Sequence, residues 1–133
     1  MHTVRRATLD DLPIMETWQD WHRAKRQSIE AGECHLAVIE GAPVGYGILN
    51  RGFFSRPWIE LLFVPEIHRR RGVGNALLEH MERACGESRI WTSTELPNLP
   101  MQSLLKNRGY QLTGVVENLQ KNPEVFYFKD LGA

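Results

Sequence analysis

Residues 58–85, WIELLFVPEIHRRRGVGNALLEHMERAC, decide the fold. The stretch opens with an apolar run at 58–64 that only Glu60 interrupts, and this run predicts a buried strand. Pro65 lacks the N–H that a strand ladder needs, so the strand is expected to end there. Between residues 73 and 84, apolar side chains recur three and four positions apart, which predicts a helix with one buried face. The order is therefore strand, glycine-containing turn, helix.

The turn carries Gly72-Val73-Gly74 directly after Arg69, Arg70 and Arg71. The first turn of a helix leaves backbone N–H groups without partners, and the helix dipole adds positive charge there. Together with the arginines, these groups favour a phosphorylated ligand. The P-loop pattern and the third glycine of the dinucleotide signature are both missing, so neither of those phosphate sites is predicted. The alternative is a purely structural turn with its arginines in solvent.

The pattern Arg69-x-x-Gly72-x-Gly74 resembles the pyrophosphate-binding motif of the GCN5-related N-acetyltransferases (the GNAT superfamily). The resemblance implies that the amides of this turn hold the pyrophosphate of acetyl-CoA, while the preceding strand pairs with the pantetheine arm. We expect backbone N–H groups near Phe63 and Val64 to bind the thioester oxygen. The cofactor contacts implied in this stretch are Leu62, Phe63, Val64, Arg69, Arg70, Arg71, Gly72, Val73, Gly74 and Asn75.

Residues 98–110, NLPMQSLLKNRGY, resemble the second GNAT signature, Asn-x-x-Ala-x-x-x-Tyr-x-Lys-x-Gly-Phe. Asn98, Gly109 and Tyr110 fit its outline, whereas Met101 replaces the alanine. The resemblance implies that the Asn98 side chain contacts the coenzyme near the thioester. A helix cap at Asn98 is the structural alternative, and the two roles are compatible.

Leu105 stands where many family members have a tyrosine that protonates the leaving thiolate. The usual general acid is therefore missing. A thiol pKa near ~8.5 makes the thiolate a tolerable leaving group at neutral pH. We rank ordered water first as the proton donor, then Ser103, then Tyr110 or Tyr127, and we count Ser103 among the expected cofactor contacts.

Glu60 is the one carboxylate within the central strand. Regular alternation would place it on a face with Trp58, Leu62 and Val64. It is then either solvated at the sheet margin or held in a cleft with a raised pKa. The GNAT resemblance implies that Glu60 takes a proton from the acceptor amine, commonly through water. The alternative is an ion pair with an arginine of a neighbouring strand.

The rest of the chain predicts an α/β fold with a mixed, mostly antiparallel sheet flanked by helices, in one domain over residues 1–133. A helix is expected from near Asp11 through Trp21, followed by a polar exit capped at Gly32. Trp18, Trp21 and His22 line either the acceptor site or the core, and core is favoured for the tryptophans. The other strands are expected at 3–7, 34–40, 44–50, 88–95, 111–116 and 124–128, with a loop at 51–57.

The composition of the chain limits the classes of partner that are expected. The 133 residues hold 16 Lys+Arg and 16 Asp+Glu, which argues against a nucleic-acid or membrane-surface partner. No apolar run approaches the ~18 residues of a membrane span, and the N-terminus lacks the apolar centre of a signal peptide. Cys34 and Cys85 predict free thiols in a reducing cytoplasm, with a disulfide as the alternative. The histidines show no ligand spacing, so no metal is expected; His80 is predicted to pack, and His68 is a candidate phosphate contact.

The sequence thus predicts a cytoplasmic, acetyl-CoA-dependent N-acetyltransferase with direct transfer to a primary amine. Glu60 is the expected base. The acceptor is a small-molecule amine or an amine of a peptide or protein, and segments 20–33 and 51–57 are expected to determine which one. The protein is expected to be a monomer or homodimer. Two alternatives stand beside this prediction: a catalytically silent acetyl-CoA-binding sensor or regulatory module, and a nucleic-acid-binding domain built on residues 69–71.

Overall fold

A seven-stranded sheet organises the chain, in the order β1-β2-β3-β4-β5-β7-β6, with β4 and β5 parallel and the other described pairs antiparallel. The computed structural model describes residues 2–20 and 24–132. The mixed α/β architecture predicted from the sequence is confirmed. The strands are β1 His2–Arg6, β2 Cys34–Ile39, β3 Ala42–Phe53, β4 Arg56–Phe63, β5 Arg89–Glu95, β6 Gln111–Val116 and β7 Glu124–Asp130; the helices are α1 Leu12–Met15, α2 Lys25–Glu30, α3 Val73–Ala84 and α4 Leu99–Asn107.

The sheet has a hydrophobic core on each face. On the α3 face, α3 and α4 enclose a cluster that includes Leu77 and Tyr127. On the opposite, α1–α2 face, the two N-terminal helices cover a cluster that includes Tyr46 and Leu61. No helix within the described ranges is long and apolar enough to cross a membrane.

A β-bulge interrupts β4 at Glu60. Leu49 of β3 pairs with Ile59, but the preceding residue, Ile48, pairs with Leu61, so Glu60 is an extra residue in this ladder. An extra residue reverses the alternation of side chains beyond it. The bulge therefore sets which part of β4 faces each core.

The alternation of β4 after the bulge differs from the sequence prediction. Leu62 and Val64 pack against the cluster on the α3 face, whereas Leu61 and Phe63 belong to the opposite cluster. The prediction that Glu60 shares a face with Leu62 and Val64 is wrong, because a regular period of two does not survive a bulge.

β3 and β4 form one long hairpin instead of two strands joined by a loop at 51–57. β3 continues to Phe53 and β4 begins at Arg56. The two residues between them, Phe54 and Ser55, have φ of 52° and 62°, the left-handed pair of a two-residue hairpin turn. The predicted loop is wrong because Phe54 and Ser55 occupy the turn positions where glycine or asparagine usually marks a hairpin.

The N-terminal helical region is broken into two pieces, so the predicted continuous helix is wrong. α1 ends at Met15, and α2 lies in the segment that was expected to be a polar exit. Gly32 follows α2 with φ of 72°, as predicted for a helix end. Trp18 is half-buried and stacks on Tyr46 with ring centroids 5.9 Å apart, which agrees with the predicted core role. The predictions for Trp21 and His22 fall outside the described residues.

Both cysteines are free thiols, as predicted. Cys34 is buried on β2, and Cys85 follows α3 in a half-buried position. Burial raises the pKa of the Cys34 thiol to about 11, so this thiol stays protonated and unreactive near neutral pH.

His35 of β2 and His80 of α3 pack against each other on the α3 face. Nδ1 of His35 lies 3.0 Å from Nε2 of His80, so one ring donates and the other accepts. Burial first, then the charges of His80 and Arg6, lower the pKa of His35 from 6.5 to about 4. Burial likewise lowers the pKa of His80. His80 therefore packs, as the sequence predicts.

This pair makes stability depend on pH. The unfolded chain binds a proton at His35 near pH 6.5 but the folded chain does so only near pH 4, so stability is lost as pH falls through that interval. Between pH 7 and 5 the wild type should lose about 2 kcal/mol from this residue. His35→Gln is the control, measured by urea unfolding at both pH values. Equal losses in the two proteins would exclude His35 as the source.

Candidate functional site

The site begins where β4 and β5 separate. The two strands pair at Trp58 with Trp91 and at Ile59 with Thr92, and the described ladder stops there. The buried hydroxyl of Thr92 donates to the Ile59 carbonyl at 3.0 Å and closes the last rung. Beyond it, β4 remains paired with β3 on its other side only. The diverging edge of β4 therefore presents backbone groups to which an extended ligand can add as a strand.

The turn after β4 brings a helix N-terminus to this edge. Arg70 and Gly72 adopt left-handed conformations, with φ of 63° and 76°, and α3 starts at Val73. The first helical hydrogen bond described runs from the Ala76 amide to the Gly72 carbonyl at 3.0 Å. Within the described residues, the amides of Val73, Gly74 and Asn75 have no hydrogen bond to a protein acceptor. Amides without a protein acceptor at a helix N-terminus can bind an anion, and the phosphate site that the sequence predicts here stays a prediction.

The three arginines of the turn are exposed, and two of them also shape it. Nε of Arg69 donates to the Val64 carbonyl at 2.9 Å, which ties the turn to the end of β4. Nη1 of Arg71 donates to Nδ1 of His68 at 3.2 Å. All three arginines are close in sequence to the amides at the start of α3 and would add positive charge to an anion bound there.

His2 is a contact that sequence reasoning missed. Its Nε2 lies 2.5 Å from the Arg71 carbonyl, and its ring lies 3.4 Å from the position that a Cβ on Gly72 would take. The start of β1 therefore contacts the turn before α3 and stabilises it. No local sequence signal connects two residues that are 69 positions apart.

Leu104, and not Leu105, borders the diverging edge. A Cβ on Gly74 would lie 3.0 Å from Cδ2 of Leu104 and 3.9 Å from Cδ2 of Leu62. Gly74 thus lets α3, α4 and β4 approach closely at the mouth of the site. Leu105 is fully buried in the core of the α3 face.

At the N-terminus of α4, Asn98 is exposed and its Oδ1 accepts a hydrogen bond from the Met101 amide at 3.2 Å. Asn98 is therefore the N-cap of α4, the structural role that the sequence allows for it. Ser103 lies one turn further along and is exposed. The roles of both residues toward a coenzyme stay predictions.

A carboxylate network fixes the helices around the site. Glu82 of α3 accepts two hydrogen bonds from Arg108, at 3.1 and 2.6 Å, and one each from Tyr110, at 2.9 Å, and Lys129, at 3.1 Å. Arg108 also donates to Oδ1 of Asn75 at 2.8 Å. Burial alone would raise the pKa of Glu82, but its three donors outweigh burial and hold that pKa below its usual value. The network links Asn75, a predicted cofactor contact, to both α4 and β7.

Tyr110 and Tyr127, which rank last as proton donors, are both buried and hydrogen-bonded within the protein. Tyr110 is buried on Glu82, and Tyr127 is fully buried with its hydroxyl donating to Oε1 of Gln102 at 2.6 Å. Burial raises the pKa of both phenols. Both hydroxyls are engaged in hydrogen bonds to other side chains, and the ranking of the two tyrosines as proton donors stays a prediction.

Glu60 projects from the α1–α2 face, next to the diverging edge. Its Oε1 accepts a hydrogen bond from Nδ2 of Asn50 at 2.9 Å. Asn50 pairs with Trp58, so the two side chains share a face, and Glu60 lies on that face with them. Glu60 is exposed. Its exposure agrees with the alternative in which the carboxylate is solvated at the margin of the sheet. Asn50 is a second residue that the sequence did not single out.

Comparison with known proteins identifies relatives of this arrangement. A family model described as Acetyltransferase (GNAT) family matches residues 1–110. No curated protein sequence matches the chain. A GNAT-family acetyltransferase structure from Bacillus cereus ATCC 10987 is 27% identical, with 98% of this chain and 97% of that one covered and a TM-score of 0.89.

More distant structures share the fold and were solved with coenzyme ligands. One, from Bacillus anthracis str. Ames, is in complex with acetyl coenzyme A; it is 12% identical over 98% of each chain, with a TM-score of 0.82. Arabidopsis thaliana Naa50, in complex with the bisubstrate analogue CoA-Ac-MVNAL, is 20% identical over 97% of this chain and 98% of that one, with a TM-score of 0.77.

Proposed function

Since a family model matches residues 1–110, the chain belongs to the GNAT acetyltransferase family, and we propose that it transfers an acetyl group directly from acetyl-CoA to a primary amine. Acetyl-CoA is the acyl donor of that family. The acceptor is a small-molecule amine or an amine of a peptide or protein.

One observation carries the proposal: the diverging edge of β4 runs into a turn whose amides at Val73, Gly74 and Asn75 face no protein acceptor in the described chain. The edge suits an extended amide-bearing arm, and the turn suits the two phosphates that follow such an arm. When bound, acetyl-CoA supplies an acetyl thioester, whose carbonyl carbon is electrophilic and whose sulfur is a good leaving group.

Glu60 is the proposed base, directly or through one water. It is the extra residue of the β4 bulge, at the diverging edge, and its carboxylate is exposed. The base removes the proton that the amine must lose on acylation. An alkylamine with a pKa near ~10.4 costs about 4 kcal/mol to deprotonate near pH 7.4, whereas an α-amine with a pKa near ~8 costs under ~1 kcal/mol.

Other groups complete the proposed chemistry. N–H groups near Phe63 and Val64 would stabilise the negative charge that develops on the acyl oxygen. The proton for the departing thiolate comes from water, with Ser103 as second choice, because the thiolate needs little assistance at neutral pH. Ser103 is exposed and therefore leaves room for such a water.

Coenzyme binding is tested by calorimetry on the wild type and on Gly72→Ala. Gly72 has φ of 76°, so alanine strains the turn by ~1–2 kcal/mol and disturbs the amides. We expect affinity for coenzyme A to fall about tenfold, which corresponds to ~1.4 kcal/mol.

The matched control is Gly41→Ala, in the β2–β3 turn. Gly41 has φ of 80°, and a Cβ there would meet nothing within 4 Å, so the backbone strain is the same but the site is distant. Both variants should lose similar stability, and Gly72→Ala alone should lose affinity. A wild type that gives no heat with millimolar coenzyme A would overturn the proposal.

Leu105 favours one alternative, a module that binds acetyl-CoA without catalysis, because the family's usual acid is missing there. Release of free thiol during incubation with acetyl-CoA and a panel of primary amines separates the two. Thiol release that depends on the amine supports the enzyme, and binding without any release supports the silent module.

A further inference from the structure

A cleft of about 200 Å³ opens on the α3 face, at the end of the molecule where α3 finishes. Four strands and the end of one helix contribute to its walls, among them Arg6 of β1, His35 of β2, Leu49 of β3, Pro57 of β4 and Ala84 of α3. The 12 residues of α3 span ~18 Å. The cleft therefore lies about one helix length away from the amides at the start of α3, and it is separate from the site described above.

Arg6 brings a positive charge to this cleft without a protein partner. Within the described residues, its guanidinium has no hydrogen bond or ion pair, whereas the neighbouring Arg5 makes two hydrogen bonds to Asp11, both at 2.9 Å. Nη1 of Arg6 lies 3.4 Å from the position that a Cβ on Gly32 would take, and its charge contributes to lowering the pKa of His35. The guanidinium is thus held at the wall of the cleft, where its N–H groups can bind the two oxygens of a carboxylate.

The other ionisable groups of the cleft add no further net charge at pH 7. Arg51 forms an ion pair with Glu87 and donates to the Ser55 carbonyl at 2.6 Å, so its charge is already matched. The pKa of His35, lowered to about 4 mainly by burial, keeps that ring neutral. Among the described residues that line the cleft, Arg6 is therefore the source of uncompensated charge. A ligand with a single negative charge would balance it.

The size and the walls of the cleft indicate what else the ligand carries. A volume of about 200 Å³ corresponds to roughly six or seven waters at ~30 Å³ each, which is more than one carboxylate group fills. Leu49, Pro57 and Ala84 supply apolar surface to the walls. A short hydrocarbon chain placed there would release water from apolar surface, which favours binding.

We propose that this cleft binds a small monocarboxylate, with its carboxylate on Arg6 and a chain of a few carbon atoms against Leu49, Pro57 and Ala84. The carboxylate accepts from the Arg6 guanidinium at one end of the cleft. The apolar chain replaces water at the other. This binding site is distinct from the coenzyme site, so the inference does not depend on the proposed acetyltransferase function.

The test is an NMR titration of the wild type at pH 7 with sodium butyrate, at an ionic strength held constant with sodium chloride. The amide signals of Gly32 and Cys85 should shift and saturate with a Kd on the order of a millimolar. Acetate has two methylene groups fewer and should bind about tenfold more weakly. The uncharged 1-butanol keeps the chain but lacks the carboxylate, and it should give no saturable shift.

Two variants test the two halves of the site. Arg6→Gln removes the charge and should weaken butyrate binding at least tenfold. Ala84→Leu keeps every charge and fills the apolar part of the cleft from an exposed helix position, and it should weaken binding to a similar degree. Arg83→Gln is the control for net charge, because Arg83 pairs with Glu79 at 2.8 Å and lines a different cleft. Its affinity should equal that of the wild type.

Cys85 offers a second measurement that does not rely on amide shifts. Its half-buried thiol lines the cleft, whereas Cys34 is buried elsewhere on β2. A bound carboxylate should shield this thiol from iodoacetamide. The rate of Cys85 alkylation, followed by mass spectrometry, should therefore fall with butyrate and reach half its total decrease at the Kd found by NMR.

Several results would overturn this inference. Butyrate that gives no saturable shift at tens of millimolar would exclude the site. Binding that survives both Arg6→Gln and Ala84→Leu, or that shifts the amides of Val73 and Gly74 in place of those of Gly32 and Cys85, would place the ligand elsewhere. Equal affinities for acetate and butyrate would contradict the apolar part of the site. None of these results bears on coenzyme A, whose binding is measured separately by calorimetry.

Discussion

Glu60→Gln is expected to lower kcat for a primary amine by about a hundredfold at pH 7, the lower range for loss of a general base. Glutamine keeps an oxygen for the 2.9 Å hydrogen bond from Asn50, so the fold and the bulge should be retained. The amide cannot take a proton. The defect should shrink as pH rises above ~8 and towards the amine pKa of ~10.4, because solution then supplies the neutral amine.

The measurement is a pH–rate profile of both proteins, together with calorimetry of coenzyme A, whose affinity should not change. Glu66→Gln is the control, since Glu66 is an exposed carboxylate only six positions away. An unmoved profile in the Glu60 variant would remove this residue from the mechanism.

Glu82→Ala is expected to destabilise the protein by about 3–4 kcal/mol, the usual cost of removing one partner from a buried ion pair. The side chains of Glu82 and Arg108 are 9% and 15% exposed, so both are largely buried. Without the carboxylate, the Arg108 guanidinium loses its ion-pair partner, and Lys129 and the Tyr110 hydroxyl lose their acceptor. For a domain of this size we expect a fall in Tm of roughly 10 °C.

Glu79→Ala is the matched control. Glu79 lies one turn earlier on α3 and pairs with Arg83 at 2.8 Å, but the two side chains are 53% and 75% exposed. An exposed pair of this kind is worth under ~0.5 kcal/mol. Urea unfolding and thermal melts of both variants make the comparison, and equal losses would show that the network around Glu82 is not a major source of stability.

The sequence predicts those features that are encoded locally. The apolar run at 58–64, Pro65 and the glycines at 72 and 74 are enough to place β4, the turn and α3, because each residue acts on its own backbone. The family, the fold and acetyl-CoA as donor follow from the same stretch.

Features that depend on distant partners are not visible in the sequence. The bulge at Glu60 is set by the register against β3, and it reverses the faces of Leu62 and Val64. The Glu82 network joins residues up to 47 positions apart. The length of the β3–β4 hairpin also depends on tertiary contact, since Phe53 is held by rings from β5 and β7.

The two outer strands of the sheet are guarded against further pairing in different ways. β1 bears exposed Arg5 and Arg6, and charge on an outer strand opposes contact with another chain. β6 instead bears exposed apolar side chains, Leu112 and Val115 among them, but its register shifts between Leu112 and Gly114. The shift breaks the regular row of amides and carbonyls on which a fibril would be templated. β6 therefore resists aggregation through its backbone geometry, whereas β1 resists it through charge.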